Sequence, residues 1–296
     1  MVWSCLVSIL PGMAQTEKLT DYVNPFVGTD GYGNVYPGAQ IPFGGIQISP
    51  DTDSRFYDAA SGYKYNHLTL MGFSLTHLSG TGIPDLGDFL FIPGTGEMKL
   101  EPGTHEDPDQ GYRSRYSHDK EWASPNYYAV ELADYGVKAE MTSGVRSGMF
   151  RFTYPESDNA FIMIDMNHTL WQSCEWSNLR MINDSTITGY KLVKGWGPER
   201  HVYFTATFSK KLTGLRFVQD KKPVIYNTSR FRSSYEAWGK NLMACISFDT
   251  KAGEEVTVKT AISAVSTDGA RNNMKELDGL TFNELRAKGE ALWEKE

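Results

Sequence analysis

Residues 127–154 read Tyr127-Tyr-Ala-Val-Glu-Leu132, Ala-Asp-Tyr-Gly136, Val137-Lys-Ala-Glu-Met-Thr142, Ser-Gly144 and Val145-Arg-Ser-Gly-Met-Phe-Arg-Phe-Thr-Tyr154. Two glycine-bearing turns separate three runs rich in Val, Tyr, Phe and Thr, side chains that suit a pleated, half-buried surface. Further runs of this kind follow at Ala160–Met166, Ser185–Val193, His201–Phe208, Leu212–Val218, Leu242–Phe248 and Val256–Val265. No helical period interrupts them between Tyr112 and Val265. Many strands without crossover helices form antiparallel sheets that pack face to face. The fold class expected is therefore all-β, a large antiparallel β-sandwich over residues 20–266.

Downstream the pattern changes. Asp268 to Asp278 is polar and helix-compatible. Thr281 and Glu284 then stand three residues apart as a capping box, ahead of Phe282, Leu285, Leu292 and Trp293. A helix is expected from Phe282 to Glu296. Neither a C-cap glycine nor a trailing proline closes it, so residues 267–296 read as the start of a helical linker. The alternative is a helix that packs back on the sandwich.

Upstream, Asp21 to Gly111 is dense in Gly, Pro, Asn, Asp and Tyr, the composition of long loops carried on a rigid scaffold. At the start, Val2 to Leu10 is apolar and Met13-Ala14-Gln15 follows, as in a signal peptide over residues 1–14, although the basic n-region is missing. Export is expected, to the periplasm, cell surface or medium of a bacterium. The apolar run is too short to span a membrane. Cleavage after Ala14 removes Cys5 and leaves Cys174 and Cys245, as a disulfide or as two buried thiols; the thiols are preferred.

The 296 residues, 40% apolar and 22% charged, can bury a proper core. A net charge of −7 leaves no surplus of Lys or Arg for phosphates, which excludes nucleic acid as the expected partner. The 13% aromatic content suits a sandwich core and equally the stacking of rings on sugars.

Two loop segments carry the candidate chemistry. The first is Tyr22-Val-Asn-Pro-Phe-Val-Gly-Thr-Asp30, continuing through Gly31-Tyr-Gly-Asn-Val-Tyr36 to Gly45, with six glycines from Gly28 to Gly45. Such a chain lets backbone approach a ligand closely. It lacks the Lys-Ser/Thr ending of a phosphate loop. The second is Gly72-Phe-Ser-Leu-Thr-His-Leu-Ser-Gly-Thr-Gly-Ile-Pro-Asp-Leu-Gly-Asp88. Asp85 and Asp88 could ligate a hard cation or bind hydroxyls. They could equally cap turn amides, the commoner use of Asp at such places. His77 is read as structural. Arg55 could bind a hydroxyl or carboxylate bidentately, or form a surface ion pair. The tryptophans of Trp171–Trp176 and Trp196–Arg200 are assigned to core or interdomain packing ahead of glycan contact.

Taken in order, Asn-Pro-Phe-Val-Gly-Thr, Gly-Asn-Val-Tyr-Pro-Gly-Ala with Pro-Phe-Gly, and Thr-His-Leu-Ser-Gly-Thr-Gly with Asp-Leu-Gly-Asp resemble the N-terminal domain of glycoside hydrolase family 92 α-mannosidases. The resemblance implies a supersandwich of the galactose-mutarotase type joined by a helical linker to a C-terminal α/α-barrel. It implies inverting hydrolysis of terminal mannose from N-glycans or mannans, with acid and base apart enough to admit a water. It implies Ca2+ at the sugar, with the ion's principal ligands and both proton-transfer groups in the barrel. Neither role falls on a residue of this chain. A mannose-containing glycan and the barrel are thus the expected partners, and a non-catalytic carbohydrate-binding module is the alternative. By motif position the sugar-facing residues are Phe26, Gly28, Thr29, Asp30, Asn34, Tyr36, Gly80, Thr81, Ile83 and Asp85, with Arg55 as a further candidate. Ile83 departs from relatives that place a large aromatic near this point, which puts the linkage preference in doubt.

Overall fold

The computed structural model describes residues 17–54, 59–225 and 236–296. The signal segment, Cys5 and Arg55 lie outside them. The described chain builds two large antiparallel sheets. The first has seven strands, in the order Ser49–Asp51, Gly72–Ser74, Leu90–Thr95, Ser157–Asp165, Leu242–Thr250, Gly214–Gln219 and Lys222–Pro223. The second has nine, in the order Glu236–Gly239, Ser173–Asn183, Thr186–Lys194, Arg200–Phe208, Glu254–Ser263, Ser147–Tyr154, Val137–Ser143, Tyr127–Leu132 and Glu121–Ser124. A two-stranded ribbon pairs Thr69–Leu70 with Ser114–Arg115.

Alternation along each strand decides what the sheets bury between them. Phe150 and Phe152 project inward from one sheet and Phe73 and Phe91 from the other, with the Phe91 and Phe150 rings 4.9 Å apart. Along Ser157–Asp165 the pattern is continuous instead. Ala160, Ile162 and Ile164 join this central core, whereas Phe161 and Met163 join a second cluster with Leu90, Ile92, Tyr112 and Cys245. A strand covered on both faces loses its alternation, and this one does. Cys174 and Cys245 are both buried and free, as the preferred reading had it.

The nine-stranded sheet carries the C-terminal segments on its outer face. Ser266 caps a helix over Thr267–Asn273, a 3-10 turn covers Met274–Leu277, and the expected capping box opens the helix Phe282–Lys295. That last helix lies against the sandwich. Phe282 and Leu285 pack with Tyr127, Ala129 and Met149, and full burial of such side chains contributes about 1.5–3 kcal/mol each. Gly289 meets the buried Asn126 so closely that a Cβ there would fall 1.7 Å from Asn126 Nδ2. Asn126 in turn ties its turn to Thr142 and Ser143 by five hydrogen bonds of 2.7–3.1 Å. At the helix end the Trp293 indole N–H donates to the Gln40 carbonyl at 2.6 Å, and the Glu294 carboxylate accepts the Leu19 and Thr20 amides. Among the described residues no helix is long and apolar enough to cross a membrane.

Candidate functional site

The two glycine-rich segments emerge at one end of the sandwich and meet there. In the first, Asn24 Oδ1 accepts the Phe26 amide at 3.0 Å, and the Phe26 carbonyl accepts the Thr29 amide at 3.1 Å and its hydroxyl at 2.8 Å. The turn closes because Gly28 sits at φ +85° and because a Cβ on Gly33 would fall 2.2 Å from the Gly28 carbonyl oxygen. Asp30 Oδ1 holds the Gly31 amide at 2.7 Å and the residue stays exposed. In the second segment Gly80, at φ +73°, donates its amide to the Asn34 carbonyl at 2.7 Å. The same carbonyl accepts the Ser61 hydroxyl. One backbone carbonyl thus joins both motifs into a continuous face.

Each proposed sugar-facing residue has a definite place. Gly80 is exposed beside the half-buried Asn34 and Thr81. Phe26 is half-buried, with its ring 5.7 Å from Tyr65. Thr29 is buried with its hydroxyl committed to Phe26. Tyr36 is buried 5.2 Å from the His77 ring, and its hydroxyl donates to Gln40 Oε1. Burial pushes the Tyr36 phenol well above its usual range. Thr81 donates to the Ile83 carbonyl at 3.0 Å. Ile83 and Pro84 border a groove of about 820 Å³ shared with Trp171 and Trp196. Those two tryptophans are 63% and 69% exposed, so they belong to a surface and not to the core. Trp176 is exposed as well.

Asp85 and Asp88 are engaged differently in the structure. Asp85 Oδ1 caps the Leu86 amide at 2.6 Å, the turn use. Asp88 is fully buried, 2.6 Å from Arg200 Nη1 and 3.1 Å from Lys191 Nζ, and accepts the Thr76 hydroxyl at 2.8 Å. Burial alone would raise its carboxyl, but the Lys191 and Arg200 charges and the Arg200 and Thr76 hydrogen bonds together hold it well below the usual range. His77 is structural, as read. Its Nδ1 lies 2.8 Å from the Gln47 carbonyl and its Nε2 2.8 Å from Asp51 Oδ1. The other Asp51 oxygen lies 2.8 Å from His168 Nε2. Asp51, His168, Lys191 and Arg200 escaped the sequence reading, and no spacing signal could have joined residues up to 149 positions apart.

Among the described residues no group of three or more His, Cys, Asp or Glu side chains could hold a metal ion. With Asp85 capping a turn and Asp88 ion-paired, these residues do not fit a calcium site.

Comparison with known proteins places this sandwich among the N-terminal domains of glycosyl hydrolases. Residues 22–263 match the glycosyl hydrolase family 92 N-terminal domain, and the chain belongs to that family. The solved structure of a family 92 glycosyl hydrolase, ccman5, superposes with a TM-score of 0.78 at 27% identity, over 93% of this chain and 36% of that one. A family 92 inverting mannosidase from Bacteroides thetaiotaomicron shares the fold, with a TM-score of 0.78 at 24% identity over 95% of this chain and 36% of its own. An uncharacterized secreted glycosidase of Arthroderma benhamiae is 30% identical over 139 residues, 46% of this chain and 17% of that protein. The chain therefore spans about a third of the solved relatives and less of the curated one.

Proposed function

We propose that this chain is the N-terminal, sugar-contacting domain of an exported, calcium-dependent, inverting exo-α-mannosidase that removes terminal mannose from N-glycans or mannans. The observation that carries the reading is the single face made by the two family motifs, joined at the Gly80 amide and the Asn34 carbonyl. On that face the Asp30 carboxylate and Asn34 amide offer hydrogen bonds to sugar hydroxyls. Bare backbone at Gly80 and Gly82 lets a ring approach closely, and Ile83 gives the leaving-group sugar an apolar neighbour. The sandwich thus orients mannose; it does not move protons. Asp88, buried between two cations, is not placed to do so. The acid, the base and the principal calcium ligands are assigned to an α/α-barrel of the longer protein, and calcium there would bind and help distort the terminal mannose.

The 296-residue chain alone is accordingly expected to release no mannose from any α-linked mannobiose, with calcium or with chelator, because positioned proton transfer is missing. The longer protein should release it and lose the activity on chelation. Calcium-dependent hydrolysis by the short chain would overturn the division of labour.

A further inference from the structure

On the outer face of the nine-stranded sheet a row of side chains crosses four strands in register. Trp238 pairs with Asn178, Asn178 with Tyr190, and Tyr190 with Tyr203. The Tyr190 and Tyr203 rings lie 4.8 Å apart at 31°. Trp238 is 53% exposed and stands two strands from Tyr190, about 10 Å at the usual strand spacing of ~4.8 Å. Between the rings, Asn178 is nine-tenths buried, and its amide donates to Glu236 Oε1 and to the Ala237 carbonyl, each at 3.2 Å. Arg180 and Glu236 flank it in the next paired row. The helix Thr267–Asn273 walls one side with Asp268 and Arg271, themselves paired at 3.3 Å. Together these side chains line an open groove of about 780 Å³.

We propose that this platform is a second saccharide-binding site, separate from the loop face, for a neutral oligosaccharide chain laid across the strands. Charge argues for the ligand class. The lining carries two guanidinium groups, Arg180 and Arg271, against two carboxylates, Glu236 and Asp268, so it has no net attraction for an anion or a cation. Beside the charged groups the lining holds the aromatic faces of Tyr190, Tyr203 and Trp238, the Asn178 amide, the Thr188 and Thr267 hydroxyls, and Met181 and Ile182. That combination complements a molecule with apolar C–H faces and a rim of hydroxyls. Among the described residues, Met181 and Ile182 are the only aliphatic side chains in a lining of otherwise polar, charged and aromatic groups, a poorer match to the apolar core of a protein interface than to a saccharide. Strand pairing fixes the spacing of Trp238 from Tyr190, so ring positions are set by backbone and cost little ordering on binding. Tyr190 is further locked by its hydroxyl, 3.0 Å from His201 Nδ1.

The saccharide class rests on the platform alone; the choice of mannan as first probe rests on the mannosidase reading. The test uses the longer protein in affinity electrophoresis through soluble α-mannan, β-glucan or galactan, with α-mannobiose hydrolysis measured beside it. Wild type should be retarded by at least one of the three polymers. Trp238→Ala, a change at an exposed edge-strand position, should weaken that retardation at least ten-fold, and Tyr190→Phe should weaken it less. Hydrolysis of α-mannobiose should stay unchanged in both variants. Retardation by glucan or galactan but not mannan upholds the platform. Failure of wild type to hydrolyse α-mannobiose counts against the mannosidase reading and leaves the platform untouched. The proposal is overturned if no polymer retards the protein, if Trp238→Ala migrates as wild type, or if Trp238 resists chemical oxidation in the longer protein, which would show another part of that protein covering it.

Discussion

Replacing Asp88 with alanine is expected to cost about 3–5 kcal/mol, the cost of stranding a buried charge. The cause is Lys191, whose side chain is as fully buried as that of Asp88. Its ammonium also donates to the His168 carbonyl at 2.6 Å and lies 5.3 Å from the centre of the Phe89 ring. Without the carboxylate, one neutral carbonyl and one ring face are left to offset a desolvated cation. Thermal unfolding should fall by on the order of 10 °C in a chain of this size. The sign of the pH dependence follows from the depressed Asp88 carboxyl. Its contribution is complete above the unfolded aspartate value of about 3.9 and is lost as pH falls through that value towards the folded one. Urea unfolding at pH 7 and pH 3 should therefore separate wild type from Asp88→Asn most widely at pH 7, with the gap reduced but still open at pH 3, because the folded carboxyl titrates well below that pH. A wild-type midpoint in Asp88→Ala would show that Lys191 does not depend on it.

Asp51→Ala should destabilise by roughly 3 kcal/mol, since His77 and His168 would each lose a buried partner at 2.8 Å. The backbone is shaped around this carboxylate: Gly62, at φ +84°, passes so close that a Cβ would sit 2.0 Å from Asp51 Oδ1. The two networks share His168, whose ring faces Asp51 and whose carbonyl faces Lys191. Urea unfolding of Asp51→Ala, Asp88→Ala and the double variant should give a combined loss smaller than the sum. A strictly additive loss would mean that the sheets are tied at two independent points.

Where local pattern and tertiary contact agree, the sequence was enough. Tyr127–Leu132 forms as expected because its inward residues match the pleat, and the Thr281–Glu284 box opens its helix because capping is local. The longest strand, Ser173–Asn183, was not recognised. Irregular pairing at Cys174/Trp176 and Met181/Asn183 breaks its alternation, and its outward Trp176, Asn178 and Arg180 look like a loop. The three-residue strands Ser49–Asp51 and Gly72–Ser74 sit in glycine-rich sequence and are held by partners far along the chain. The tryptophans at 171, 176 and 196 were assigned to core or interdomain packing; all three are exposed on this domain, which removes the core half of that assignment, because residue type does not distinguish a core ring from a surface ring. The loop motifs could be found through family resemblance. Their convergence at Asn34 and Gly80 could not, because a backbone hydrogen bond leaves no side-chain signature.

The most direct test of the sugar-contacting role is kcat/KM for α-mannobiose in the longer protein carrying Asp30→Ala or Asn34→Ala, with thermal unfolding measured in parallel. Asp30 is exposed, so its removal should leave the unfolding temperature unchanged. Loss of a hydrogen bond from a charged group is worth about 1.5–3 kcal/mol, which corresponds to a fall of roughly 10- to 100-fold in kcat/KM. Wild-type kcat/KM in both variants would contradict the assignment of this face to the sugar.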